Sequence, residues 1–126
     1  MYFVDKFNKA STEQGEIALF WLGQAGFIIK NSYGETLAID PYLSNLVERT
    51  CGLKRIMMPI ISPEDLNVDI LLISHHHDDH LDMDSIPSIM KNKNTKLLSP
   101  TTGINICKKK GINEAQLISF NYGDKI

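Results

Sequence analysis

The apolar run Ile70-Leu71-Leu72-Ile73 breaks at Ser74 and is followed at once by His75-His76-His77-Asp78-Asp79-His80. A short, uninterrupted run of this kind reads as a strand buried on both faces. That constrains the whole chain, because a strand covered twice needs a packed layer on each side. All four histidines fall between positions 75 and 80, and the carboxyl ends of strands in open α/β sheets are where ligands gather.

The spacing inside the cluster is H-x-H-x-D-H, carried by His75, His77, Asp79 and His80. Side chains alternate along an extended segment, so His75 and His77 are expected to point the same way and share one cation through nitrogens at about 2.0–2.1 Å. A turn after His77 would let Asp79 and His80 face a neighbouring site. Two divalent metals about 3.5–4 Å apart could then share a water whose pKa falls towards about 7, a nucleophile at neutral pH, with Asp79 as a catalytic group that orients it. His76 and Asp78 take the alternate positions and should point away. A tag or an incidental polar loop is the plainer explanation of such a run, but this one is internal, joined to an apolar strand and mixed with acids.

Around this stretch the chain punctuates clearly. Residues 1–15 have no clean period and form an amino-terminal arm, open between a short helix using Tyr2, Phe3 and Phe7 and a loose segment. From residue 16 onwards the pattern is that of a domain. Three short apolar runs, Ile17–Leu22, Phe27–Lys30 and Thr36–Ile39, separated by Gly23-Gln24-Ala25-Gly26 and Asn31-Ser32-Tyr33-Gly34, read as an antiparallel meander. Gly23 and Gly26 suit a bulge. Asp40 is either a turn cap before Pro41 or a carboxylate placed to accept the N–H of a ligating imidazole.

Residues 42–67 are a mixed, irregular connection in which Arg49, Lys54 and Arg55 could receive an anionic substrate group or simply be solvated. Beyond the histidines, Asp84 is placed to cap a helix through Ile86, Ile89 and Met90, and Lys96–Leu98 is a strand. Ser99-Pro100 starts a second helix, which Lys108-Lys109-Lys110-Gly111 ends, and Gln116–Phe120 is a last strand. The lysine run is first a helix-end feature, the cations facing the negative end of the dipole.

The net charge of -2 gives no basic face for nucleic acid, and no run approaches membrane-spanning length. The first residues have neither a basic n-region nor a long apolar h-region, so a soluble, unexported chain is expected. Cys51 and Cys107 form no C-x-x-C pair and suit a reducing compartment.

At the histidine motif, at Trp21-Leu22-Gly23-Gln24-Ala25-Gly26-Phe27, at Ala38-Ile39-Asp40-Pro41-Tyr42 and from Lys96 to Tyr122-Gly123-Asp124, the chain resembles the metallo-β-lactamase fold superfamily. The likeness is to the branch holding ascorbate-6-phosphate lactonases and related metal-dependent hydrolases. It implies an αββα sandwich, two divalent ions, zinc or manganese, and a cytoplasmic bacterial setting. Many members of that family carry a histidine where Gln24 stands here, which favours turn chemistry at this position. Members also complete the site with a third histidine, a bridging aspartate and a final histidine from later segments. The fold class expected is therefore α/β, the amino-terminal half of that sandwich, a β-meander followed by βαβαβ with a mixed sheet.

Two functional expectations follow. One is a metal-dependent hydrolase opening an ester, lactone or phosphoester of a small metabolite through a metal-bound hydroxide, with His75 and His77 on one metal and Asp79 and His80 on the other. Asp40 would stand behind the imidazoles, and Arg49 and Arg55 would meet the substrate. The other is a catalytically incomplete domain that binds metal weakly or not at all and, through an exposed sheet surface, forms a homo-oligomer or a domain-swapped pair.

Overall fold

A computed structural model describes residues 2–126. Strand β1 (Ile17–Gly23) pairs antiparallel with β2 (Gly26–Asn31), which pairs antiparallel with β3 (Thr36–Ile39). From β3 the sheet turns parallel through β4 (Ile70–Leu72), β5 (Lys96–Ser99) and β6 (Leu117–Ser119), so six strands lie in sequence order in one mixed sheet. The register shifts between Trp21 and Gly23, the bulge expected from the glycines. Gly26 has a second reason to be glycine, since a Cβ there would stand 3.2 Å from both the Asp40 carbonyl oxygen and Leu22 Cβ.

One face of the sheet is closed. Leu22, Ile28, Ala38, Leu71 and Leu97 project towards helices α3 (Ile86–Ile89) and α4 (Thr101–Lys109), where Ile86, Ile89, Ile104 and Cys107 complete the core. The arm is a docked helix, α1 (Phe3–Lys9), with Phe7 buried and edge-on to Phe20 at 5.7 Å. Lys30 Nζ donates to the Phe7 and Asn8 carbonyls at 3.2 and 3.0 Å, a cation at the helix carboxyl end.

The other face stands open. In register across the strands run Leu19, Ile29, Leu37 and Ile70, and beside them Trp21, Phe27, Ile39, Leu72, Leu98 and Ile118. Of these, Leu19, Trp21, Ile70 and Ile118 are exposed. The expectation of a central strand buried on both faces is thus corrected. β4 is three residues long and covered by helices on one side only, with Ile70 37% exposed.

Two further readings change. The 42–67 connection contains a short helix, α2 (Leu46–Cys51), ended by Gly52 at φ 73 with its N–H donating to the Glu48 carbonyl at 3.0 Å. Asp84 does not cap α3, because its carboxylate is engaged by Arg49. The N-cap is Ser85, without a side-chain cap hydrogen bond, and the buried Asp82 carboxylate holds the turn before the helix instead, accepting from the Ser85 hydroxyl at 2.6 Å and the Asp84 N–H at 3.2 Å.

Candidate metal centre

Past Leu72 the backbone makes one more sheet contact, Ile73 N–H to the Leu98 carbonyl at 2.8 Å, and then leaves the sheet. Residues 74–77 form bends and 78–80 a turn, with the N–H groups of His80 and Leu81 both donating to the His77 carbonyl at 2.9 and 2.7 Å. Strand alternation therefore does not place His75 and His77. A bent loop does, because two residues more of extended chain would carry them beyond the end of the neighbouring strands.

The loop nevertheless gathers the expected side chains. His75 Nε2 and His77 Nδ1 lie 3.1 Å apart, and His80 Nε2 lies 3.5 Å from Asp79 Oδ2. The ring centres of His75 are 4.6 Å from His77 and 4.0 Å from His80, so three imidazoles form one cluster. Two ligand atoms each about 2.0–2.1 Å from a tetrahedral ion sit about 3.3 Å from one another, so both separations match an edge of a coordination tetrahedron. The donor chemistry, imidazole and carboxylate, suits a divalent metal ion. The fit extends to pairs only: among the described residues no three His, Cys, Asp or Glu side chains converge on one point. His76 is exposed, and Asp78 turns to α2, accepting from the Thr50 hydroxyl at 3.0 Å.

Behind the cluster sits Asp40, 4% exposed and held at φ 44 at the end of β3. Its Oδ1 accepts from Ser74 N–H at 2.7 Å, and its Oδ2 accepts from Ser74 Oγ at 2.5 Å and from His80 Nδ1 at 2.8 Å. A carboxylate only accepts, so the His80 proton is assigned to Nδ1, leaving the Nε2 lone pair facing Asp79. The same logic reaches His75. Ser74 Oγ spends its single proton on Asp40 and accepts from His75 Nδ1 at 2.9 Å, leaving His75 Nε2 facing His77. Desolvation, then the nearby His80 and His77, push the His75 pKa below its ordinary value, which favours the neutral, ligating form.

The arginines differ from one another. Arg49 pairs with Asp84, which raises its own pKa and lowers that of Asp84, the shared hydrogen bond being the main cause of both. Arg55 is buried at 7% exposure against the Tyr42 ring, donating from Nη1 to the Tyr42 and Ser44 carbonyls at 3.3 and 2.9 Å and from Nε to the Met57 carbonyl at 2.5 Å. Gln24, at φ 47, serves the β1–β2 turn, its carbonyl accepting from Trp21 Nε1 at 2.9 Å.

Sequence reasoning missed Asp82. Its carboxylate accepts from Leu43 N–H, Ser44 N–H and Ser44 Oγ at 2.9, 3.0 and 2.6 Å, tying the loop after β3 to the loop that carries the histidines. Its only visible signal is a carboxylate two residues after His80, between Leu81 and Met83.

A family described as the beta-lactamase superfamily domain matches residues 18–119. A protein of Polynucleobacter asymbioticus named metal-dependent hydrolase is 35% identical over 108 residues, 86% of this chain and 35% of the relative. One of the same name from Methanosarcina mazei is 33% identical over 97 residues, 77% of this chain and 36% of the relative. A Saccharomyces cerevisiae protein named N-acyl-phosphatidylethanolamine-hydrolyzing phospholipase D, mitochondrial, is 42% identical over 69 residues, 52% of this chain and 14% of the relative. The chain spans about a third of the length of the first two relatives. With its mixed sheet, its helical layer on one face and its histidine loop at the end of β4, the chain belongs to the metallo-β-lactamase superfamily and comprises an amino-terminal portion of that fold.

Proposed function

We propose that this chain carries half of the metal site of a hydrolase that opens an ester, lactone or phosphoester bond. The observation that supports it is the pairing of His75 with His77 and of Asp79 with His80 at ligand-edge distances, with Asp40 directing two of the imidazoles. A divalent ion held there would supply a Lewis acid and an acidified water. The chain's own part is to hold the donors: His75 and His77 present one pair, Asp79 and His80 the other, and Asp40 with Ser74 keeps the Nδ1 protons in place. Asp79, half-buried beside His80, is the carboxylate that would take the proton of such a water.

A phosphoester stands beside the ester and lactone because the yeast relative is named a phospholipase. No helix among the described residues is long and apolar enough to cross a membrane, and both cysteines are free, which suits a cytoplasmic setting. The test is turnover of a generic aryl ester and an aryl phosphodiester by the zinc- or manganese-loaded chain, beside the His77→Ala variant. Turnover abolished by His77→Ala supports the reading. Metal bound equally by the chain and by His77→Ala, with no turnover of either substrate, rejects it.

A second reading has its own observation. The open apolar face around Leu19, Trp21 and Ile70 favours self-association, and two donors per metal favour a chain that does not turn over substrate by itself. Sedimentation that shows a dimer without activity would favour it.

A further inference from the structure

Arg55 is a buried cation without an anion. Only 7% of it is exposed, yet no carboxylate among the described residues lies within ion-pair distance, and its three protein hydrogen bonds all go to main-chain carbonyls. Burying a guanidinium with neutral partners alone is costly unless a negative group completes it. Its remaining nitrogen, Nη2, has no hydrogen-bond partner among the described residues, is open to solvent rather than buried, and lies 4.0 Å from the point where a Cβ on Gly23 would stand. Gly23, at φ 94, has no side chain to cover it.

That nitrogen borders a cavity of about 360 Å³ lined by Trp21, Gly23, Gln24, Lys54, Arg55, Ile56 and Met57. The lining holds two cations and no acid. Its other walls are apolar and unusually bare, with Trp21 50% and Ile56 101% exposed. A cationic floor under an indole and two aliphatic side chains selects an oxyanion carried on an apolar group.

The cavity and the histidine loop lie on the same edge of the sheet. Trp21, Phe27, Ile39 and Leu72 are register partners at the ends of their strands, so the two places are three strand spacings apart, about 14 Å. Asp40 lies between them, its carbonyl oxygen 3.2 Å from where a Cβ on Gly26 at the start of β2 would stand and its carboxylate accepting from His80 Nδ1.

We infer that Arg55 and Lys54 form a substrate subsite that receives the carboxylate or phosphate of an anionic amphiphile, its apolar portion lying on Trp21, Ile56 and Met57. This deepens the hydrolase reading and rests on it for the word substrate. The anionic end held by Arg55 is then not the group being cleaved, which lies a strand-sheet width away at the histidines.

Trp21 is the single tryptophan of the chain and stands in the cavity wall, so its emission reports occupancy. The experiment titrates the full chain, without added metal, with octyl phosphate below its micelle concentration, and in parallel with 1-octanol and with inorganic phosphate. Octyl phosphate is expected to bind at least tenfold more tightly than either control. Exposed Lys54→Glu is expected to weaken it about tenfold, and Arg55→Gln to abolish it. Arg55 also holds the loop, so if Arg55→Gln shifts the urea midpoint, Lys54→Glu and the loss of binding in raised salt decide the matter. Octanol binding as tightly as octyl phosphate, an unaffected Lys54→Glu, or an unresponsive Trp21 would each overturn the subsite. None of these outcomes touches the metal reading, which is scored by metal binding and turnover.

Discussion

Asp40 and His80 are separated by 40 positions in the chain and by 2.8 Å in the fold. That contact makes β3 the support of a loop that follows β4, and through Ser74 it extends to His75. Asp40→Asn is the informative variant, because asparagine tolerates the left-handed backbone that Asp40 occupies at φ 44 while losing the acceptor charge. Divalent-metal affinity, measured by competition with a chromogenic chelator, is expected to fall about 10–100-fold with the urea midpoint little changed. An unchanged affinity would mean that the contact does not direct the imidazole.

Asp82 carries stability rather than chemistry. Five donors converge on its fully buried carboxylate, and removing it strands Leu43 N–H and Ser44 N–H among apolar neighbours. Asp82→Ala should cost about 3 kcal/mol in urea denaturation, given roughly 1–3 kcal/mol for each buried group left unsatisfied. A loss below about 1 kcal/mol would show that water replaces it.

The two thiols should separate cleanly. Cys51 is exposed, whereas Cys107 is buried under α4 and burial pushes its pKa up to about 11. At pH 8 about one Cys107 in a thousand is then thiolate, the reactive form. An Ellman titration is expected to find one thiol per native chain and two in denaturant. Two in the native chain would contradict the packing of α4.

Asp84 supplies a pH dependence of definite sign. The hydrogen bond from Arg49 lowers its pKa in the folded chain, so its contribution is present above the ordinary carboxylate pKa of about 3.9 and is lost as pH falls through the lowered value. The Arg49 side chain is 61% exposed and that of Asp84 33%, so solvent screens the pair and the effect on stability is small. Carboxyl carbon NMR should show Asp84 titrating upward, towards the ordinary value, in Arg49→Ala. The stability difference between the two proteins should vanish in acid.

The order of strands and helices was legible because alternation, glycine pairs and the lysine-glycine helix end are local signals. Coverage was not. Ile70-Leu71-Leu72-Ile73 looks the same whether one face or two are packed, and only the fold shows Ile70 at the surface. The histidine motif was legible as a donor set, but the reason for its convergence was a turn held by the His77 carbonyl rather than strand alternation. Asp82 and Arg55 were opaque for a common cause. Their roles depend on partners such as Ser44 and Tyr42, 38 and 13 positions away, and nothing in their own neighbourhoods distinguishes a buried charge from a solvated one.

On the proposed function, a loop beyond β4 delivers His77, and not its neighbour His76, to a point where a cation would be held. Zinc titration of the native chain, His77→Ala and His76→Ala, followed at the imidazole NMR resonances, tests it directly. Affinity is expected to fall at least tenfold for His77→Ala and to stay unchanged for His76→Ala. Equal losses in the two variants, or native binding without movement of the His75, His77 and His80 resonances, would contradict it.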